Sequence, residues 1–323
     1  MSPPTKNRSI LITGCSQGGA GNALALEFAA QGLRVFATAR SLESMSNLSQ
    51  SGIETLVLDV TVPESILALK DDITKRTGGT LDILYNNAGS SKFSYYKPES
   101  FLRSAFRGLL NSDPVYEAPA IEADPTKVKK MFDTNVFGLF DIVTAFTPLL
   151  IAAKARNPNS KPTIVNVASI LARLPFPFAS AYNATKAAVS AYSDTLRLEM
   201  DPLGIRVVTF FMGEVSTKLR SADGINFRPD SLYADAEVKV KERTEQSAKA
   251  SITPAALAKQ VVPDVLGTKE VSYIWKGTNA FIVWLLNAIG PRKVFDSTVM
   301  GPVGFSDKNQ VKRIFERGQR MFA

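Results

Sequence analysis

Short apolar runs alternate along the chain with longer amphipathic stretches. The short runs, at residues 9–13 (SILIT), 34–38 (RVFAT), 55–58 (TLVL), 81–85 (LDILY), 163–167 (TIVNV) and 205–211 (IRVVTFF), have the length of buried strands. Between them the apolar spacing predicts helices at 22–31, 41–50, 63–76, 127–155 and 179–200. Punctuation agrees: Gly32 ends the first helix, Pro63 opens the third and Gly78-Gly79 break it. A strand–helix alternation of this kind predicts an α/β fold, a doubly wound and mostly parallel sheet with helices on both faces.

Two stretches exceed that pattern. Residues 90–124 are long for a strand-to-helix connection and carry Phe93, Tyr95, Tyr96, Phe101, Phe106 and Tyr116. The chain after Gly213 is polar and predicted helical to about Lys249, and then holds Trp275, Phe281, Trp284 and Phe295. The organisation expected is one domain over 1–323: a core at 8–220, an insert at 90–124 and a substrate-side segment with extension at 214–323.

Composition changes this picture mainly by exclusion. With 45% hydrophobic and 21% charged residues, the chain can bury a sizeable core. The net charge of +8 is spread, with its densest stretches at 127–130 and 312–320, which suits a solvated surface and not a nucleic-acid site. The one cysteine, Cys15, allows no internal disulfide, which fits a reducing compartment and a cytoplasmic location. There is no histidine, so Ser-His-Asp hydrolases, HExxH proteases and the usual zinc catalysts are excluded, and no metal site is expected. Any acid or base must be Tyr, Lys, Asp, Glu or Cys. The N-terminus lacks the apolar region of a signal peptide, and no run reaches the ~18 apolar residues of a spanning helix. The run AFIVWLLNAI at 280–289 is too short to span and reads as a core helix or a membrane-surface anchor.

Three constellations carry chemistry. ITGCSQGGAG, at 12–21, lies between a strand and a helix; Gly14, Gly18, Gly19 and Gly21 would let the backbone approach a pyrophosphate at a helix N-terminus. Strand two ends in ATAR: Arg40 stands where an acidic residue would select NAD, so with Ser16 or Ser41 it argues for a 2′-phosphate and hence NADPH. Asp59 and Val60, after strand three, are placed to meet an adenine, and Asn87, Ala88 and Gly89 end strand four, where ligands gather in such sheets. Tyr182 and Lys186 are four apart, so a helix puts them on one face and the ammonium draws the phenol's pKa down. Ser169 lies thirteen residues earlier, at a strand end where its hydroxyl can hold a substrate oxygen. Asn135, amid Phe132, Val136, Phe137 and Leu139, is either a buried structural amide or a relay group.

In this order, TGCSQGGAG, LDV, NNAG, TNVFG, the serine–tyrosine spacing and YNATK resemble the short-chain dehydrogenase/reductase family over residues 8–220. The resemblance implies a Rossmann fold, direct hydride transfer with NADPH/NADP+, and an oxidoreductase acting on a small-molecule carbonyl. It assigns Tyr182 as general acid, Lys186 to the tyrosine and the nicotinamide ribose, Ser169 to the carbonyl and Asn135 to a water in a proton relay. Gly213, Val215 and Thr217 would meet the carboxamide side of the cofactor. The Gly-Gly before Ala20-Gly21, LALEFAAQG, VFATAR and the tail WKGTNAFIVWLLNAIGPRKVFD are similar to fungal NADPH-dependent 1-acyldihydroxyacetone-phosphate reductases, and more distantly to hydroxysteroid dehydrogenases. That likeness implies peripheral contact of 279–290 with endoplasmic reticulum or a lipid droplet, and the wider family implies a homodimer or homotetramer. Ala20 stands where isoleucine is usual, and Met212-Gly213 replaces the common Pro-Gly. The expected substrate is a bulky apolar ketone or aldehyde, such as a lipid, a polyketide or another secondary metabolite. The alternatives are an NADP-binding non-redox enzyme on the same fold and an NADPH-sensing protein.

Overall fold

The computed structural model describes residues 8–89, 116–217, 222–267 and 269–320. Seven strands form one parallel sheet: β1 (Ser9–Thr13), β2 (Arg34–Ala39), β3 (Glu54–Val57), β4 (Ile83–Asn86), β5 (Thr163–Val167), β6 (Arg206–Met212) and β7 (Tyr273–Lys276). Their spatial order is β3-β2-β1-β4-β5-β6-β7. The order reverses between β1 and β4, and the crevice beyond the carboxyl ends of those strands is where an open α/β sheet takes a ligand.

Helices cover both faces: α1 (Ala20–Ala30), α2 (Ser46–Gln50), α3 (Pro63–Thr77), α4 (Pro125–Phe132), α5 (Gly138–Arg156), α6 (Ser180–Met200), α7 (Glu237–Ala250), α8 (Pro254–Leu266), α9 (Ala280–Ile289), α10 (Asp296–Met300) and α11 (Lys308–Arg320). Alternation along each strand sorts the core into two layers. Ile10 and Ile12 of β1 join Leu24 and Phe28 of α1 and Val261 and Val265 of α8 on one face. Leu11 points the other way, to Ile73 of α3, Phe146 of α5 and Val189 of α6.

The six expected strands and the five helical regions expected before Gly213 are present, with two differences; after Gly213 the helix expected to about Lys249 begins only at Glu237. Residues 41–50 form a tight turn at Glu43–Met45 followed by the short α2. The helix expected over 127–155 runs from Pro125 to Arg156 and is widened by a π-turn at Asp133–Phe137. This helix is long and apolar enough to cross a membrane, but Leu139, Ile142, Phe146 and Leu150 are buried in the core of the sheet. β7 had no sequence expectation; only four residues long, it completes the sheet beside β6 with Phe210 opposite Ile274. Of the insert at 90–124, Phe93, Tyr95, Tyr96, Phe101 and Phe106 lie outside the described residues.

The tail is integral to the domain, since α8 and Ile274 belong to the main core. A smaller core gathers Phe178, Ile225, Phe227, Val240 and Val303, and a further one joins Ile170 to Val283 and Phe295.

Candidate active site

The glycine turn after β1 is built by close backbone approach. Gly14 adopts φ +75, and a Cβ there would come within 2.8 Å of Ala88 Cα. A Cβ on Gly21 would collide with Asn87 Nδ2 and the Gly14 carbonyl. That space is taken by Asn87, whose Nδ2 donates to the Thr13 and Gly14 carbonyls, each at 2.9 Å. Thr13 Oγ1 in turn accepts from the Asn87 and Ala88 amides at 3.1 and 2.9 Å. Gly18 is left-handed at φ +83, and Gly19 caps α1 with extended backbone and no side-chain acceptor. The first turn of α1 carries no acidic residue, so its amides and positive dipole end face the crevice uncompensated.

Around this turn, Asn22 Nδ2 donates to the Cys15 carbonyl at 3.0 Å and Ser16 Oγ lies 3.2 Å from Ser44 Oγ. Arg40, at the end of β2, is exposed and makes no ion pair or hydrogen bond among the described residues. Ser41 Oγ donates to the Glu43 carboxylate, which that bond holds below the usual carboxylate range. Asp59 Oδ1 accepts from Thr61 N and Oγ1 at 2.9 and 2.7 Å, while Val60 is buried against Gly138 at the start of α5. Cys15 is wholly buried, and burial pushes its thiol up to about 12, which marks it as core and not nucleophile.

The third constellation converges on α6. Lys186 is buried and its Nζ donates to the Val167 carbonyl at 2.9 Å, which anchors it on the last residue of β5, two residues before Ser169. Desolvation lowers its pKa to about 8. The same ammonium lies 5.8 Å from the centre of the Tyr182 ring, one helical turn earlier. Ser169 is extended; its Oγ accepts from the Leu171 amide at 3.1 Å and donates to the Met212 carbonyl at 3.4 Å. The latter bond is long, so the proton can be given to another acceptor at little cost.

Asn135 sits in the π-turn and is buried. Its Nδ2 donates to Thr185 Oγ1 at 3.1 Å, and Thr185 donates to the Tyr182 carbonyl at 2.8 Å. A Cβ on Gly89 would lie 3.4 Å from both Asn135 Oδ1 and Lys186 Nζ, so these three residues adjoin. Between the layers, Asn86 Nδ2 donates to Asn166 Oδ1 at 2.9 Å and Asn166 Nδ2 to Ser193 Oγ at 3.0 Å, which locks β4, β5 and α6 together.

On the far side, the chain after β6 crosses the chain after β7. Gly213 N donates to the Lys276 carbonyl at 2.8 Å, and Gly277, at φ +105, leaves no room for a Cβ on either glycine. Val215 bridges to Ile252, and the Thr217 amide donates to the Val215 carbonyl at 2.9 Å. Thr13, Asn22, Thr185 and Asn166 are the supporting residues that sequence reasoning missed. Thr13 and Thr185 had a signal there, as the first residue of TGCSQGGAG and the fourth of YNATK.

The structure therefore brings Asn135, Ser169, Tyr182 and Lys186 to one end of β4, β5 and α6, beside the glycine turn. The turn is close-packed on Asn87 and Ala88, and the N-terminus of α1 that it opens, with no acidic residue in its first turn, fits the phosphates of a dinucleotide.

A family model described as short chain dehydrogenase matches residues 8–225. The chain is 34% identical over 294 residues to a short-chain dehydrogenase of Neurospora crassa, covering 91% of each. It is 42% identical over 212 residues to an NADPH-dependent 1-acyldihydroxyacetone phosphate reductase of Schizosaccharomyces pombe, covering 66% of this chain and 61% of that one. Among solved structures, a short-chain dehydrogenase from Streptomyces avermitilis superposes with a TM-score of 0.68 at 24% identity, covering 91% of this chain and 98% of the other. One from Burkholderia cenocepacia in complex with NADP gives 0.63 at 20% identity, covering 92% and 99%. These two likenesses speak for the fold.

Proposed function

The chain belongs to the short-chain dehydrogenase family, and we propose that it is an NADPH-dependent reductase that turns a ketone or aldehyde into an alcohol. The observation that carries this reading is the coupling of Lys186 to Tyr182 on one helix face, with Lys186 anchored on the end of β5, two residues before Ser169.

NADP(H) is assigned by the fit of the crevice. The glycine turn and the open N-terminus of α1 would hold a pyrophosphate, exposed Arg40 a 2′-phosphate, and Asp59 and Val60 the adenine side. The relative from S. pombe is named for NADPH dependence. When bound, NADPH supplies the hydride.

The chain's own residues then do three things. Ser169, its oxygen already fixed by the Leu171 amide, turns its proton from the Met212 carbonyl to the substrate oxygen and stabilises charge there. Tyr182 gives that oxygen its proton. A phenol with an ordinary pKa of ~10 is slow to exchange protons at neutral pH, and the adjacent ammonium favours its anion. Lys186, charged below about 8, maintains this bias and presents its remaining N–H groups to the cofactor side. Asn135, tied through Thr185 to the Tyr182 carbonyl, holds the π-turn against α6 and stands beside Lys186 where protons are resupplied. Gly213, Val215 and Thr217 border the nicotinamide side.

The substrate is a bulky apolar carbonyl compound, as the S. pombe relative is named for 1-acyldihydroxyacetone phosphate. α9 contacts a membrane or lipid-droplet surface, while the enzyme is otherwise cytoplasmic. The outer faces of α5 and α6, with Ile151 and Leu198 exposed, and Phe137 at the end of the π-turn before α5, form the contacts of a homodimer or homotetramer.

The test is NADPH consumption over a panel of acylated ketones, steroids and polyketide-like carbonyls. The wild type should consume cofactor with one class, and Tyr182→Phe should lower kcat by about 1000-fold with its NADPH Kd within about twofold. Wild-type turnover in that variant would overturn the role of Tyr182. NADPH binding without consumption, with a product that has gained no hydrogen (a rearrangement, dehydration or cyclisation), would make this a non-redox enzyme.

A further inference from the structure

Outside the catalytic cluster, one buried pair of charges stands out. Glu117 lies at the end of the 90–124 insert and Arg243 on α7, 126 residues apart in sequence, and both are buried. The guanidinium donates to the Glu117 carboxylate and, through its other arm, to the Pro177 carbonyl at 3.2 Å. It also stacks over the Phe176 ring at 4.0 Å, and Thr244 Oγ1 donates to the second Glu117 oxygen at 3.3 Å.

A buried ion pair is a poor way to hold segments together for stability alone, since desolvation consumes most of the attraction. What a planar guanidinium adds over an apolar contact is direction. Here the direction is imposed on the connection between Ser169 and Tyr182. Residues 176 and 177 are held by Arg243. The next residue, Phe178, is left-handed at φ 72, a disfavoured conformation for an aromatic side chain, and its carbonyl accepts from the Ala118 amide at 2.8 Å. Two residues later α6 begins, and Tyr182 stands in its first turn. The other end of the connection is tied to α6 itself, where Asn183 Nδ2 donates to the Leu174 carbonyl at 3.3 Å.

We propose that Glu117 and Arg243 are positioning residues. Their pair clamps the strained connection at 176–178, and so sets the start of α6 and Tyr182 against Ser169 only when the insert's end and α7 are both docked. The consequence for turnover rests on the reading of Tyr182 as general acid; the clamp itself does not.

The experiment compares the full-length wild type with Arg243→Met, Arg243→Lys and the milder Glu117→Gln, each with NADPH present. Arg243→Met should lower kcat by about tenfold or more while KM and the NADPH Kd stay within about threefold, with Arg243→Lys between it and wild type. Amide exchange over 174–182 should quicken about tenfold in Arg243→Met and in Glu117→Gln, with β1 and α1 unchanged. Unchanged exchange at 174–182 in both variants would overturn the proposal. So would exchange that quickens equally in β1, or a fall in kcat matched by loss of NADPH affinity, since those report general destabilisation. A wild type that consumes no NADPH with any carbonyl would refute the reductase reading, and the exchange pattern would still decide the clamp.

Discussion

At the scale of single residues, the site works by placing polar groups where solvent would normally be needed. Lys186 is the clearest case. Its ordinary pKa of 10.5 falls to about 8 because burial disfavours the ammonium. Between about 8 and 10.5 the unfolded chain therefore holds a proton that the folded chain has lost, so stability rises with pH through that window. Below about 8 both states are protonated, and the folded protein bears the full cost of a buried charge, roughly 3 kcal/mol for a drop of this size. Lys186→Met in the cofactor-free protein should thus raise the unfolding free energy by up to about 3 kcal/mol at pH 7, and the gain should vanish by about pH 10.5. Chemical denaturation at the two pH values checks this. A variant no more stable than wild type at pH 7 would mean that the ammonium is not desolvated. The cost is a functional one: the same burial that destabilises the fold keeps the ammonium close against Tyr182.

At the scale of elements, what the sequence made legible was what adjacent residues decide together. The glycine turn could be read because its glycines follow a strand and open a helix at the start of an α/β pattern, and the Tyr182–Lys186 pairing because a helix fixes which positions share a face. The turn also yields a sharp expectation. A methyl group on Gly21 would enter the space of Asn87 Nδ2 and the Gly14 carbonyl, so β1, the turn and β4 cannot all keep their places. Gly21→Ala should destabilise the protein by roughly 1–3 kcal/mol and weaken NADPH binding by about tenfold or more. Thermal unfolding and fluorescence titration read the two effects, and wild-type NADPH affinity would show that the turn does not hold the dinucleotide. What remained illegible depends on partners distant in sequence. β7, Tyr-Ile-Trp-Lys, has strand-forming residues but is too short to stand out, and it becomes a strand by pairing with β6. The π-turn at Asp133–Phe137 leaves no mark in hydrophobic spacing, which it shifts by a single residue. Nothing near Glu117 announces Arg243. The aromatics of the 214–323 segment illustrate the same limit. Trp275 stacks on Phe211 within the fold, whereas Phe281 and Trp284, a few residues on, face solvent.

At the scale of the whole molecule, α9 is the feature that the sheet and its helices leave unresolved. Its inner side is fixed, with Ala280 and Val283 buried and Val283 joined to Ile170, one residue after Ser169. Its outer side carries Phe281 at 66%, Ile282 at 45%, Trp284 at 43% and Ile289 at 75% exposure, and exposed Arg292 and Lys293 follow. Aromatic and aliphatic side chains on a short helix, flanked by cations in a protein of net charge +8, suit an anionic lipid interface. Because the inner side supports the loop that carries Ser169, removing the tail would disturb catalysis as well as docking, so deletion is the wrong probe. Paired substitutions on the outer face separate the two. Wild type should float with vesicles containing anionic lipid, and Phe281→Asp with Trp284→Asp should lower the bound fraction by about tenfold while NADPH turnover stays within about twofold. If the wild type stays in the soluble fraction and the double variant has a smaller mass by light scattering, the face is a subunit contact, and the membrane reading falls. If the variant loses turnover along with binding, α9 supports the catalytic loop through its outer residues too, and the inner–outer division drawn from burial is wrong.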